Sequence, residues 1–225
     1  MNQTYENIEY LVIDGASKDN TADIARSYVE KFNSRPGRNM TVISEKDKGM
    51  YDALNKGARL AHGEIVGQIN ADDFYELDAV QTMAELYERE NYDLAWGNLK
   101  MVTPNGIKIK YSGKIPKHSL FWSTLHWCHP ASFSKRSTLL EYPYPLINSH
   151  DDFDYATHVY LDGKKLITVN KIIATFNYGG MSTQKSIKEA KQRLDEIYGI
   201  YKRYGMSRLH YIHRLLFETV KYFMT

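Results

Sequence analysis

The sequence has few of the features that mark secreted, membrane-spanning or nucleic-acid-binding proteins. Its 225 residues include one cysteine, Cys128, so no disulfide can form within the chain, and no apolar run reaches the length that spans a bilayer. No charged and then apolar leader precedes the first predicted strand, and no platform of basic and aromatic residues occurs in the predicted sheet region. These absences predict a cytoplasmic globular protein that does not bind nucleic acid.

The small net charge of +2 hides a basic C-terminal segment. Residues 185–225 carry nine Lys or Arg against four Asp or Glu, a net +5, which leaves −3 for residues 1–184. Apolar residues recur in this segment at helical spacing, so we expect a basic amphipathic helical tail. Such a tail either lies on the inner face of an anionic membrane or packs on the domain with a solvated basic face.

Strands and helices alternate in the first half of the chain. Short apolar runs at Tyr10–Ile13, Thr41–Ile43 and Ile65–Ile69 predict buried strands, and amphipathic segments between them predict helices. This order predicts an α/β fold with a mostly parallel central sheet flanked by helices, which binds ligands outside the carboxyl ends of its strands. The second half has shorter, mixed elements. We expect one domain over 1–184, with halves 1–98 and 99–184, followed by the tail at 185–225.

Two adjacent carboxylates, Asp72 and Asp73, follow the third predicted strand. At the rim of the sheet they could hold a hard divalent cation, because Mg²⁺ and Mn²⁺ prefer one or two carboxylates together with phosphate oxygens. The alternative is structural: either residue could cap the helix that begins near Leu77. The four letters of Asn70–Asp73 leave both interpretations open.

Four segments near the ends of these elements together resemble the family 2 glycosyltransferases. They are Val12–Thr21, Ser44–Gly57, Ala61–Glu64 and Asn70–Asp73, and their order and spacing match the family from Asn2 to about Gly180. The resemblance implies an A-type glycosyltransferase fold, in which a Rossmann-like half binds the nucleotide and the other half binds the acceptor. It also implies a sugar donor activated by a nucleoside diphosphate, with a UDP-sugar favoured, and inversion at the anomeric carbon.

The resemblance assigns a set of donor-binding residues, which are Asp14, Asp47, Gly49, Asn55, Asn70 and Asp72. Within it, the residue matching Asp14 faces the nucleoside, and the residue matching Asp72 holds Mn²⁺ or Mg²⁺. Asn70 stands where many relatives have Asp. Because an amide oxygen carries no full charge, Asp72 must supply most of the attraction for the cation.

The acidic segment Asn148–Tyr155 resembles the part of the family that carries the catalytic base. Counting back from Gly163 selects Asp152 as the base that takes a proton from an acceptor hydroxyl, with Asp151 as the second candidate. Without the resemblance, the acidic residues here would be interpreted as a first helical turn favoured by the helix dipole.

The segment His126–Pro130 contains two histidines and a cysteine. Their spacing does not match a zinc site. His129 matches a position near the family's acceptor or diphosphate region, so we expect it to contact substrate.

The chain departs from the family before Asn2. Relatives begin with a further strand that lies within the sheet, a loop that contacts the nucleotide base, and a helix. Three interpretations follow: the sequence starts inside a longer protein, it has lost activity, or it is a noncatalytic module that binds a carbohydrate or a partner. Retention of Asp72 and Asp152 favours catalysis, whereas the missing first strand disfavours it. The resemblance implies transfer to a glycan or lipid-linked acceptor, in polysaccharide, lipopolysaccharide or glycolipid assembly.

Overall fold

The computed structural model describes residues 1–179, 187–212, 215, 216 and 219. Its strands are β1 (Ile8–Asp14), β2 (Arg38–Ser44), β3 (Ile65–Gly67), β4 (Phe74–Tyr75), β5 (Leu94–Thr103), β6 (Gly106–Lys110), β7 (Ser132–Lys135) and β8 (Leu166–Asn177). Its helices are α1 (Thr21–Ser27), α2 (Val29–Asn33), α3 (Met50–Leu60), α4 (Ala79–Glu90), α5 (Arg136–Glu141), α6 (Asp151–Leu161) and α7 (Ile187–Arg203). None of the helices in these ranges is long and apolar enough to cross a bilayer.

The α/β architecture is confirmed, but the sheet is mixed. Strands β1 and β2 form a parallel pair of their own, joined through α1 and α2. A second sheet has the order β3-β7-β5-β8-β4, with β6 on β5. Within it β5 and β8 are parallel, whereas β3 and β5 both run antiparallel to β7, which comes from the second half of the chain. The chain thus combines parallel units with antiparallel strands that return from the second half.

The two sheets each end at an edge strand in the first half of the chain. Within the described residues, β1 hydrogen-bonds to β2 and β3 hydrogen-bonds to β7, so each has one paired side. The side chains of both strands are mostly half-buried rather than buried. The family resemblance predicts one more strand inside the sheet. In the part of the chain that the structure describes, β1 and β3 each have a side beside which such a strand could pair.

The core extends from the second half of the chain into the tail. Trp96 and Trp122 meet edge to face with their ring centroids 6.3 Å apart, and Phe153 of α6 meets Tyr201 of α7 in the same way at 5.8 Å. On α7, Ile197 and Tyr201 are buried in this cluster. Helix α7, which begins the predicted tail, therefore packs on the core of the domain.

Candidate active site

The first acidic group lies at the carboxyl ends of β1 and β2. Asp14 is 6% exposed, and its carboxylate accepts hydrogen bonds from the hydroxyls of Ser17 and Ser44, each at 2.5 Å. The Ser17 hydroxyl and then that of Ser44 lower the pKa of Asp14 below its usual value, which keeps it ionised. Asp47 lies against this turn, since a Cβ added to Gly15 would come within 2.7 Å of its Oδ2.

The loop after β2 leads into α3, which hydrogen-bonds to the second half of the chain. Asp47 Oδ1 accepts a hydrogen bond from the Gly49 N–H at 2.9 Å, and Gly49 adopts φ 118°, a conformation that glycine tolerates. Asn55 is buried, and its amide group donates to the Tyr144 carbonyl and accepts from the Tyr144 N–H, both at 2.9 Å. The predicted donor residue Asn55 thus also fastens α3 to the loop before α6.

Asp72 and Asp73 occupy different environments after β3. Asp72 is exposed, while Asp73 is 9% exposed and accepts the Asn177 N–H at 3.1 Å through Oδ1. Burial, then the neighbouring Asp72 charge, raises the pKa of Asp73 to about 6 despite this hydrogen bond. Helix α4 begins at Ala79 with Asp78 as its N-cap residue, and the Val80 N–H in its first turn donates to Gln3 Oε1, so the capping interpretation of Asp72 and Asp73 is wrong.

Of the two acids at the start of α6, Asp152 is the one that lines a cavity. This cavity has a volume of about 200 Å³, and Asp152 is half-buried at its wall. Asp152 accepts hydrogen bonds from the Tyr51 hydroxyl and the Trp127 indole N–H, each at 2.9 Å. These two donors approach different oxygens, so they fix the orientation of the carboxylate and leave lone pairs for a further partner.

Asp151 points into the protein and holds the preceding loop. It is fully buried, and its oxygens accept the N–H groups of Ile147 and Asn148 at 2.8 and 3.1 Å. Burial raises the pKa of Asp151, against the effect of those two donors. The two neighbouring carboxylates therefore differ in their surroundings: Asp152 faces the cavity, and Asp151 supports the loop.

His129 lies in the wall of the same cavity. It is 7% exposed, and within the described part of the chain neither ring nitrogen has a hydrogen-bond partner. Burial lowers the pKa of His129, although the charge of Asp152 opposes this effect. A neutral imidazole with both nitrogens unsatisfied beside a carboxylate is suited to contact a polar ligand, because such a group is costly to leave unpaired.

Helix α3 connects the Asp152 wall to the end of β3. The Tyr51 hydroxyl reaches Asp152, and one turn later the Leu54 carbonyl accepts a hydrogen bond from Gln68 at 3.0 Å. Gln68 lies two residues before Asn70, and its side chain also accepts the Tyr144 hydroxyl at 2.5 Å. This continuous chain of contacts joins the predicted base to the predicted cation-binding turn.

The predicted cation-binding turn, Asn70–Asp73, offers donor atoms that suit a hard metal ion bound together with a phosphate ligand. Over the described ranges, no three His, Cys, Asp or Glu side chains converge as a complete metal site. The turn offers the exposed carboxylate of Asp72 and, next to it, Asp73 Oδ2, a buried oxygen without a partner among the described residues. Because Mg²⁺ and Mn²⁺ commonly take one or two carboxylates and complete their shell with substrate phosphates, these donors are compatible with such an ion.

Sequence reasoning did not identify Tyr51 and Trp127 as partners of Asp152. Tyr51 occurs in one of the quoted motifs, but there it is an apolar position on α3, and Trp127 lies within the His126–Pro130 segment. The signal available in the sequence was the residue type. When tyrosine or tryptophan is buried, its O–H or N–H group usually needs a hydrogen-bond partner. The partner itself is a tertiary contact.

Comparison with known proteins identifies the family to which the chain belongs. The profile of the family described as "Glycosyl transferase family 2" matches residues 1–143. A PGL/p-HBAD biosynthesis glycosyltransferase of Mycobacterium tuberculosis is 30% identical over 199 residues, covering 85% of this chain and 74% of that protein. A dolichyl N-acetyl-alpha-D-glucosaminyl phosphate 3-beta-D-2,3-diacetamido-2,3-dideoxy-beta-D-glucuronosyltransferase of Methanococcus voltae is 28% identical, covering 84% and 63%.

Solved structures show the same fold at lower identity. S. aureus TarS 1-349 in complex with UDP-GlcNAc gives a TM-score of 0.68 at 17% identity, over 99% of this chain and 66% of that one. The mannosyltransferase PcManGT from Pyrobaculum calidifontis, in complex with GDP-Man and Mn²⁺, gives 0.64 at 18% identity, over 90% and 56%. This chain spans about half to two thirds of the length of these structures. On the family match and the sequence relatives, the chain belongs to glycosyl transferase family 2.

Proposed function

We propose that this protein transfers a sugar, with inversion, from a nucleoside-diphosphate donor to a hydroxyl group of a glycan or lipid-linked acceptor. The observation that carries the proposal is the Asp152 carboxylate, which is half-buried at a cavity wall and held there by Tyr51 and Trp127. A fixed carboxylate with free lone pairs is a suitable general base for an incoming alcohol. Asp151 supports the loop that precedes it.

In the proposed reaction, Asp152 accepts the proton of the acceptor hydroxyl. The oxygen then forms a bond to the anomeric carbon from the side opposite the diphosphate. The bond between the anomeric carbon and the diphosphate oxygen breaks, and the nucleoside diphosphate leaves with the electron pair. Attack from the opposite face inverts the configuration at that carbon.

The donor would bind along the carboxyl ends of the first-half strands. In this proposal Asp14 and Asp47 contact the nucleoside, Gly49 and Asn55 shape the bordering loop, and Asn70 touches the ribose or metal-bound water. Asp72 would hold Mn²⁺ or Mg²⁺. When bound, such an ion compensates the negative charge that develops on the departing diphosphate. A UDP-sugar is the donor we propose, and the TarS structure, which holds UDP-GlcNAc, supports this choice.

The acceptor would enter the cavity that Asp152 and His129 line. His129 can hydrogen-bond a hydroxyl or a phosphate oxygen, since both of its nitrogens lack partners within the described residues. The Methanococcus voltae relative is named as a transferase for dolichyl N-acetyl-alpha-D-glucosaminyl phosphate, which supports a lipid-linked substrate here. The setting we propose is the assembly of a cell-envelope glycan or glycolipid, with the basic tail in peripheral contact with the membrane.

Substitution of the two neighbouring acids tests the proposal. Asp152→Asn should lower the turnover number by about 10²- to 10⁴-fold, the range for loss of a general base, while the affinity for UDP and Mn²⁺ stays within about threefold by calorimetry. Asp151→Asn is the matched comparison. It should lower the melting temperature, because Asp151 holds the preceding loop, and it should leave the turnover number largely unchanged. Retained turnover in Asp152→Asn would place the base elsewhere. Binding of UDP without turnover in the unmodified protein would favour the noncatalytic interpretation.

A further inference from the structure

An apolar groove lies beside the Asp152 cavity, on another side of the same chain segment. Its volume is about 340 Å³, and its walls are Leu120, Phe121, Ser123, Leu125, His126 and Leu209. The Asp152 cavity is lined by Thr124, Trp127, Cys128 and His129 from this segment. Residues 120–129 therefore form part of the wall of both spaces.

The side chains around the groove are unusually exposed for their size. Phe121 is 65% exposed, Leu209 is 56%, Ile212 is 55% and Leu125 is 43%. Residues 209–212 are helical, so Leu209 and Ile212, three positions apart, share one helix face. Several large apolar side chains exposed together mark an interaction surface, whereas scattered single ones do not.

Buried contacts hold the two parts of the groove together. His210 is 3% exposed, and its Nε2 lies 3.0 Å from the Ser119 carbonyl, while its Nδ1 lies 2.8 Å from the Ser207 carbonyl. The His210 ring also packs on Tyr201 of α7, with centroids 4.4 Å apart. Because this anchor is inside the protein, the exposed residues Phe121 and Leu209 are presented on a fixed surface.

The charged residues that flank the groove residues in sequence are basic. Between Asp93 and Glu141 the sequence contains six lysines, one arginine and no carboxylate. Lys114, Lys117 and Arg208, which flank the groove residues in sequence, are exposed, and the structure gives them no ion pair within the described residues.

We propose that this groove and its basic rim dock the protein on an anionic phospholipid bilayer. Apolar side chains enter the acyl boundary of the bilayer, and the lysines and arginine contact its anionic headgroups, each basic residue contributing to the attraction. The proposal deepens the proposed function, on which it rests for its acceptor. Since residues 120–129 also line the Asp152 cavity, docking places the candidate base at the surface of the membrane that holds a lipid-linked acceptor.

Co-sedimentation with vesicles tests the docking surface without donor or acceptor. The unmodified protein should bind vesicles that contain phosphatidylglycerol at least about tenfold more tightly than vesicles of phosphatidylcholine alone, and added salt should reduce the difference. Phe121→Ser, Leu209→Ser and Lys117→Glu should each weaken binding by about fivefold to tenfold. These side chains are exposed, so the variants should remain folded, which circular dichroism would check.

Matched control residues lie in α1 and α2, far from the groove residues in the sequence. Ile24 of α1 is 58% exposed and Lys31 of α2 is exposed, so Ile24→Ser and Lys31→Glu repeat the same chemical changes away from the groove. Both should bind vesicles as the unmodified protein does. Asp152→Asn should also bind normally, which separates failure of this proposal from failure of the proposed reaction. Equal binding to both vesicle types, unchanged binding of the groove variants, or a dimer that Leu209→Ser dissociates would overturn the proposal.

Discussion

Removal of the Tyr51 hydroxyl tests whether the orientation of Asp152 controls the reaction. The hydroxyl lies 2.9 Å from Asp152 Oδ1 and 3.0 Å from the Ser149 carbonyl, so its single proton is shared between two acceptors. Burial, followed by the charge of Asp152, raises the pKa of Tyr51, so it stays protonated and remains a donor. Tyr51→Phe keeps the ring and removes only this donor.

The size of the effect follows from the strength of a hydrogen bond to a charged group. Such bonds contribute about 1.5–3 kcal/mol, and the sharing with Ser149 places this one near the lower limit. If that energy serves to hold Asp152 in its reactive orientation, about 1.4 kcal/mol corresponds to a tenfold loss in kcat. The KM for the donor should change by less than about twofold, because the Tyr51 hydroxyl contacts Asp152 and the Ser149 carbonyl and not the residues proposed to bind the donor.

Tyr144→Phe is the matched control in a steady-state transfer assay. The Tyr144 ring lies 5.2 Å from that of Tyr51, but its hydroxyl donates to Gln68 instead of Asp152. Its kcat should therefore stay within about twofold. The decisive comparison is Tyr51→Phe in the Asp152→Asn background, where the two effects should not add, since both act through one carboxylate. A tenfold loss in that background, or an equal loss in Tyr144→Phe, would refute the reasoning.

Two further predictions concern stability. Gly97→Ala should destabilise the fold by about 2–3 kcal/mol in urea unfolding, because the new Cβ would lie 2.3 Å from the Ile173 side chain. A Cβ added at Gly199 in α7 would have no neighbour within 4 Å, so Gly199→Ala should stabilise the fold by up to about 1 kcal/mol. If both variants lost stability, crowding by the new Cβ would not be the cause. Burial raises the pKa of Asp151 from 3.8, so the folded chain holds this proton more tightly than the unfolded chain does. Its contribution to stability is present below about pH 4 and is lost as the pH rises through the folded-state pKa; Asp151→Asn should flatten that decline, and an unchanged slope would contradict the assignment.

Local sequence signals were sufficient for the first half of the chain. The three predicted strands correspond to β1, β2 and β3, because a short apolar run closed by polar residues is a property of neighbouring positions. Their pairing was less accessible. The antiparallel partner of β3 is β7, which pairs Ile65 with Lys135, seventy residues away, and no periodicity in either segment encodes that contact.

The spacing of residues in the sequence also could not predict that adjacent acids have different surroundings. Asp72 is exposed and Asp73 is buried on Asn177, yet the two are consecutive and chemically identical in the sequence. Asp151 and Asp152 repeat the pattern at the start of α6, one buried and one facing the cavity. Resemblance to a family selected Asp72 and Asp152, while the elements that pack against each pair decide how each carboxylate is surrounded.

Helix α3 links the predicted donor loop, from Asp47 to Asn55, to the candidate base Asp152. Tyr51, Leu54 and Asn55 are related by three and four positions, so they share one helix face. Through this face α3 contacts Asp152, Gln68 and the Tyr144 backbone, respectively. Gly49 is the N-cap residue of this helix, and its N–H donates a hydrogen bond to Asp47 Oδ1. A movement of the predicted donor loop would therefore be transmitted to the orientation of the candidate base, because the motif that the resemblance assigns to the nucleotide includes Tyr51, which contacts Asp152.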